Sequence, residues 1–160
     1  MEHPSLAVGV IMERRTVTSG RWESLRWEAV GVVPDPGGAP RVLIEEPQRV
    51  RWVHPGFAVT LHRDEAEGYY LNLSTEQPYV FVMWREEDDA ALPRLVTVSY
   101  NEAGRLMDGG ERVDGVPMPA DVANWVASFT DTHYRPEPKR RIRPPSFKGA
   151  RRSQDDGKEP

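Results

Sequence analysis

Apolar and polar residues alternate along several short stretches of the chain, which is the pattern of a half-buried β-strand. The alternation is clearest over residues 57–62 and 94–99, where apolar side chains recur at every second position and would face a core. An apolar run over residues 6–13 is short for a helix and predicts a buried strand.

Turn residues separate these strands from others. Thr18–Gly20 and Pro34–Gly38 predict turns, because Gly and Pro interrupt regular structure. Further strands are expected at residues 22–33, 41–45, 49–53, 69–73 and 78–85. In the first of these the apolar positions alternate imperfectly, which predicts a bulge near Arg26 and Trp27.

The three strands at 57–62, 69–73 and 78–85 would form an antiparallel meander, with a polar loop at 63–68. The apolar period changes after residue 100. A short helix is expected over Asn101–Asp108, where the following glycines stop it.

The best helical pattern spans Met118–Tyr134, with Pro119 in the first turn. Its apolar stripe recurs at helical spacing and comprises Val122, Trp125, Val126, Phe129 and His133. We expect this helix to cover one open end or face of the sheet.

Together the elements predict a mainly β, α+β fold. The expected architecture is a bent antiparallel sheet or a partly open barrel of six or seven strands with a C-terminal helix. A PH-like arrangement, in which seven strands precede a helix, fits this order, although such an analogy says nothing about function.

The distribution of charge divides the 160 residues into one domain and a tail. From Arg135 to the C-terminus there are nine Lys or Arg and four Asp or Glu, which leaves 12 basic and 21 acidic residues elsewhere. The segment from Arg135 is therefore +5 and the rest of the chain −9. We expect a globular domain over 1–135 and a disordered, basic, Pro-rich tail over 136–160, because the tail has little apolar surface to bury.

Several classes of protein are excluded or disfavoured by composition. The chain has no cysteine, so disulfides, thiolate metal sites and cysteine nucleophiles are absent. No segment approaches the roughly 20 apolar residues of a membrane span. The N-terminus does not resemble a secretory signal, and we expect a cytoplasmic protein. Most of the five tryptophans are expected in the core, although some would line a surface that binds a partner.

One polar cluster and its neighbours form the candidate binding surface. The residues are His62, Arg63, Asp64, Glu65, Tyr70, Asn72 and Ser74. A histidine beside two carboxylates could bind a metal or transfer protons. The alternative is a solvated loop, which we favour because metal ligands usually converge from several elements and the other three histidines lack ligand spacing.

Motifs for catalysis and nucleotide binding are missing. There is no Gly-x-Ser-x-Gly around Ser74 and no glycine-rich phosphate loop. We therefore predict no catalytic residues, no resident metal and no cofactor.

The basic residues of the tail are a second candidate surface, comprising Lys139, Arg140, Arg141 and Arg143. They could simply solubilise the protein, dock on an acidic partner, or bind nucleic acid. The last is disfavoured, because only Phe147 could stack on a base.

Several segments, spread over about residues 5–134, carry a family resemblance. They are Val10–Arg15, Trp22, Trp27–Val30, Leu61–Glu65, Tyr70–Ser74, Val116–Pro119 and Trp125. Together they resemble an uncharacterised bacterial family whose genes often lie beside those for molybdenum-dependent formate dehydrogenase. The resemblance implies a non-enzymatic accessory protein that binds a formate dehydrogenase subunit or a maturation factor.

Some members of that family carry the label "molybdopterin-guanine dinucleotide biosynthesis protein A", which this sequence does not support. A guanylyltransferase needs a glycine-rich loop for phosphate at its N-terminal strand. Here Gly9 is a single glycine, and Met12 and Glu13 put bulk and negative charge where phosphate would lie. The alternatives to an accessory role are a small enzyme or ligand- or metal-binding domain built on His62, Asp64 and Glu65, and nucleic-acid binding through the tail.

Overall fold

Seven strands and three helices make up residues 3–136, the part of the chain that the structure, a computed structural model, describes. The strands are β1 (Ser5–Ser19), β2 (Trp22–Pro34), β3 (Arg41–Glu46), β4 (Arg49–Thr60), β5 (Tyr79–Glu87), β6 (Ala90–Thr97) and β7 (Arg112–Pro117). The helices are α1 (Ala66–Leu73), α2 (Tyr100–Asp108) and α3 (Ala120–His133). A 3-10 turn over Arg63–Glu65 leads into α1.

The strands form two antiparallel sheets. One has the order β2-β1-β4-β3 and the other has the order β6-β5-β7. The expected α+β class, with six or seven antiparallel strands and a C-terminal helix, is confirmed. Helices α1 and α2 lie between strands, which differs from the uninterrupted strand order of a PH-like arrangement.

The core lies between the two sheets and under α3. Alternate residues of β1 and of β5 face this core, as the two-residue period of a strand requires. These residues are Val8, Val10, Met12, Val80, Val82 and Trp84. The other face of β5 is buried too, at Phe81 and Met83. Val122 and Val126 of α3 complete the same core, and Trp125 and Phe129 pack against it, so the predicted apolar stripe is confirmed.

The predicted short helix at 101–108 is also confirmed, as α2. Its N-terminus is capped by Ser99, whose buried Oγ accepts a hydrogen bond from the amide of Glu102 at 3.0 Å. Such a cap stabilises a helix by satisfying an amide that has no partner within the helix.

The predicted strand at 69–73 is wrong, because these residues form α1. Tyr69 and Tyr70 have β-propensity, but tertiary packing decides the outcome here. The ring of Tyr69 meets that of Phe129 edge-on at 5.9 Å between centroids, which places α1 against α3. The expected meander is therefore absent, and the candidate surface at 62–74 lies on a turn and a helix.

Two predicted strands, 49–53 and 57–62, are one continuous strand, β4. Pro55 and Gly56 do not end it, because Gly56 adopts a φ of 92° while the pairing with β1 shifts register. The bulge between β1 and β2 lies opposite Ile11 and Met12 rather than near Arg26. β7 was not predicted.

The basic residues Lys139, Arg140, Arg141 and Arg143 lie outside the described residues. Within residues 3–136, none of the helices is both long and apolar enough to cross a membrane.

Candidate functional site

A surface cavity of about 500 Å³ contains the first part of the predicted cluster. Its lining comes from the N-terminal segment, the turn after β4 and the end of α3. The lining residues are His3, Pro4, His62, Arg63, Asp64, Phe129 and His133. Three of the four histidines of the chain thus share one cavity, which we call the histidine cavity.

Backbone hydrogen bonds position His3 and His62. The amide of Leu61 donates to the carbonyl of Pro4 at 2.9 Å, which ties the N-terminal segment to the end of β4. The two imidazole rings consequently lie 4.3 Å apart between centroids, inclined at 53°.

Tyr69 forms the base under this part of the cavity. It is buried, and its hydroxyl accepts a hydrogen bond from the amide of His62 at 2.8 Å. Burial raises the pKa of Tyr69 to about 12, because removal from water disfavours the phenolate, and the hydrogen bond from His62 offsets this in part. Tyr69 is therefore a neutral structural phenol.

The opposite wall belongs to α3. The rings of Phe129 and His133, one helical turn apart, are 4.4 Å apart between centroids. His3 and His133 were missed as candidates because their sequence distance from His62 gives no ligand spacing, and only the packing of α3 against α1 brings them near.

Arg63 and Asp64 are exposed and contribute opposite charges to the cavity rim. Among residues 3–136, no group of three or more His, Asp or Glu side chains is placed to hold a metal ion. The cavity can offer a small ligand an aromatic wall, imidazole donors or acceptors, and one guanidinium.

Glu65 faces away from this cavity and serves a structural role. Its Oε1 accepts a hydrogen bond from the buried Ser99 Oγ at 2.5 Å, and its Oε2 pairs with Arg105 of α2. Because Ser99 also caps α2, Glu65 links the start of α1 to the start of α2.

Asn72 is likewise committed to the fold. Its buried side-chain amide donates to the carbonyls of Tyr79 and Val98 at 2.7 and 2.9 Å, and its oxygen accepts from the amide of Tyr79 at 3.0 Å. Asn72 therefore fixes the end of α1 against the start of β5. A polar side chain buried with all these bonds satisfied is costly to replace.

Ser74 and Tyr70 are on the outer side of α1. The Ser74 hydroxyl donates to the carbonyl of Tyr70 at 2.7 Å, within the last turn of the helix. Tyr70 is 40% exposed, and its ring lies 4.9 Å from that of Tyr134. The seven predicted site residues are thus divided: three line the cavity, two support the fold, and two are at the surface of α1.

Exposed apolar side chains form two further features that the sequence alone did not locate. One is the end of the β1–β2 hairpin, where Trp22 is 76% exposed and Leu25 is 59% exposed. The other, which we call the tyrosine surface, comprises Tyr70, Leu71, Tyr79 and Tyr100.

The fold and these features define a small α+β domain that carries the histidine cavity and two exposed aromatic regions. The chain belongs to a family described as "Protein of unknown function (DUF3305)", whose sequence model matches residues 7–143. No curated protein and no solved structure matches the chain.

The family match extends further along the chain than the resemblance predicted. The resemblance predicted from sequence ended at residue 134, whereas the match continues to residue 143. It therefore includes Lys139, Arg140, Arg141 and Arg143, so part of the basic tail belongs to the family pattern.

Proposed function

We propose that the protein is a non-enzymatic accessory protein that binds a subunit or maturation factor of a formate dehydrogenase-like molybdoenzyme. The observation that carries the binding role is the indole of Trp22, exposed at the end of the β1–β2 hairpin. Tryptophan is the side chain whose burial most often dominates a protein interface.

The geometry of the hairpin suits an anchor. β1 and β2 remain paired out to Ser19 and Trp22, and Gly20 adopts the positive φ of 63° that a tight turn needs. Leu25 is also exposed on this strand, but on the opposite face, because three residues separate it from Trp22. Trp22 is held on paired strands and so loses less conformational entropy on binding than a side chain on an unpaired loop.

Three polar side chains at and beside the candidate surface are engaged in the fold. Glu65, Tyr69 and Asn72 have their polar atoms engaged in bonds that hold α1 to α2, β4 and β5. Groups committed in this way support the fold rather than a reaction.

The distribution of charge supports docking between charged protein surfaces. The body carries −9 and the segment from Arg135 carries +5. Separated charges of opposite sign steer and orient encounters with partners of complementary potential. The class of partner rests on the resemblance, in which the genes adjoin those for formate dehydrogenase.

Deletion of the gene in the native host, followed by growth on formate, tests this role. Formate dehydrogenase activity should fall and should return when the wild-type gene is supplied. Trp22→Ala should restore activity poorly, whereas Leu43→Ala, at an exposed apolar position on β3 at the other edge of the sheet, should restore it. Normal activity in the deletion strain would exclude the proposed role.

A second candidate is a binding site for a small anionic ligand in the histidine cavity. It is favoured by the meeting of His3, His62 and His133 with Arg63 in about 500 Å³. Benzoate and inorganic phosphate are suitable probes, because one would use the Phe129 wall and the other only the polar groups. Imidazole signals of His62 and His133 should shift in NMR spectra while those of His54, on β4, do not. Unchanged spectra with both probes would exclude such a ligand.

Nucleic-acid binding through the tail remains the third candidate. Its test is retention on heparin, which should fall steeply with salt and disappear when the arginines at 140, 141 and 143 are replaced by glutamine.

A further inference from the structure

Four exposed apolar side chains make up the tyrosine surface. Tyr70, Leu71, Tyr79 and Tyr100 are between 39% and 55% exposed. They come from α1, β5 and α2, so a sequence reading did not group them. Exposed apolar side chains that adjoin one another, unlike single ones, mark sites of interaction.

Contacts beneath these side chains connect Tyr79 with Tyr100 and bring the end of α1 near them. The ring of Phe81 lies 6.2 Å from that of Tyr79 and 6.4 Å from that of Tyr100, between centroids, and so connects the two. The side chain of Asn72 is hydrogen-bonded to the backbone of Tyr79, which brings the end of α1 next to the start of β5.

Helix α1 is joined to the start of α2 on the same side. A Cβ atom at Gly68 would lie 3.2 Å from the amide nitrogen of Asn101. Leu71 is three residues further along α1 and so lies on the same side of the helix as Gly68. Leu71 therefore lies beside the start of α2, and Tyr70, whose ring contacts that of Tyr134, continues the exposed side of α1 towards the end of α3.

The chain leaves the described domain beside this surface. Tyr134, directly after α3, has its ring 4.9 Å from that of Tyr70, and Pro136 follows. Nine further residues, 137–145, can extend over about 30 Å. A segment that leaves the domain beside Tyr70 is therefore long enough to pass over Leu71 and Tyr100.

The composition of residues 137–145 suits this surface. Pro138, Pro144 and Pro145 favour extended polyproline backbone, which binds grooves lined by aromatic side chains. The basic side chains between them can lie on tyrosine rings and can pair with Glu67 and Glu76, the exposed acids before and after Tyr70 and Leu71. The family match also continues through residue 143.

We propose that residues 137–145 dock on the tyrosine surface of their own chain. Docking hides apolar side chains that would otherwise be exposed and fixes the position of the basic residues relative to the acidic body.

The absence of cysteine allows a direct test on the full chain. Ser146→Cys creates a unique site for a nitroxide spin label just beyond the proposed segment. Amide NMR signals of Leu71, Tyr79 and Tyr100 should be broadened by the label. Signals of Gly20 and Trp22, at the end of the hairpin, should not be.

Two controls show what occupies the tyrosine surface. In the Tyr70→Ser/Tyr100→Ser double variant the broadening should be lost, whereas Trp22→Ser should retain it. Mixing isotope-labelled chain without nitroxide with spin-labelled chain of natural isotopes should give no broadening. Broadening in that mixture would show that a second copy occupies the surface, and would overturn the proposal. Equal intensities at Leu71 and Trp22 in the labelled chain would also overturn it.

Discussion

Gly68 of α1 and Ser99, which precedes α2, lie so close together that a Cβ atom at position 68 would be 2.1 Å from Ser99 Oγ. The same Oγ caps α2 and donates to Glu65. The absence of a side chain at residue 68 is therefore what lets α1 and α2 meet at one buried hydroxyl.

Gly68→Ala should destabilise the protein, because the new methyl group must displace Ser99 and break its two hydrogen bonds. We expect a loss of about 1–3 kcal/mol or more in the free energy of unfolding. Urea denaturation followed by circular dichroism measures it. Gly104→Ala in α2 is the matched control, because its Cβ meets no atom within 4 Å, and it should stabilise the helix by up to about 1 kcal/mol. Equal stability of the two variants would contradict the account of this contact.

Asp114 of β7 connects the two sheets. Its Oδ2 accepts from the indole Nε1 of Trp84 at 2.8 Å and from the amide of Ala29 in β2 at 2.9 Å. Asp114→Ala leaves both donors without this acceptor, at a cost of about 1–3 kcal/mol for each. Equilibrium unfolding in urea should report the loss.

Two further variants distinguish the loss of these two hydrogen bonds from a general effect of removing a negative charge. Asp114→Asn retains a carbonyl acceptor and should be less destabilising than Asp114→Ala. Asp35→Ala removes a carboxylate that accepts from the amide of Gly37 in an exposed turn, and should cost least. A loss as large for Asp35→Ala would show that the connection between sheets is not the cause.

The high pKa of Tyr69 predicts a loss of stability in alkali. Tyr69 titrates at about 12 in the folded protein, against 10.0 for an unperturbed tyrosine. Below pH 10 both states keep the proton, so the contribution is fully present. Between pH 10 and 12 the unfolded chain loses its proton first, and stability falls by about 1.4 kcal/mol per pH unit.

Urea midpoints measured across this range for the wild type, Tyr69→Phe and Tyr100→Phe test this prediction. Tyr69→Phe should lose this part of the pH dependence, while Tyr100→Phe, at an exposed position, should keep it. If stability falls with pH equally steeply in Tyr69→Phe and in the wild type, a group other than Tyr69 causes the loss of stability in alkali.

Much of the fold follows from local pattern. The stripe of Val122, Val126 and Phe129 predicted α3, and the glycines at 109 and 110 predicted the end of α2. Both signals depend on the period or on the backbone conformation of residues close in sequence. β4 could not be predicted as one strand, because its passage through Pro55 and Gly56 depends on a register shift against β1.

The candidate site was less accessible to sequence reasoning. His62, Arg63 and Asp64 were correctly grouped, since they are adjacent along the chain. Glu65 was included with them because nothing local shows that its carboxylate turns towards Ser99. His133 and His3 required the packing of α3 and the N-terminal segment, and no spacing rule contains that information.

The central claim is that Trp22 anchors a molybdoenzyme partner. The most direct test is co-purification from formate-grown cells of the native host with three tagged forms: wild type, Trp22→Ala and Leu43→Ala. We expect a formate dehydrogenase subunit or a maturation factor, identified by mass spectrometry, to be recovered with wild type and Leu43→Ala and to be lost with Trp22→Ala. Recovery of no such protein with the wild type, or equal recovery with Trp22→Ala, would contradict it.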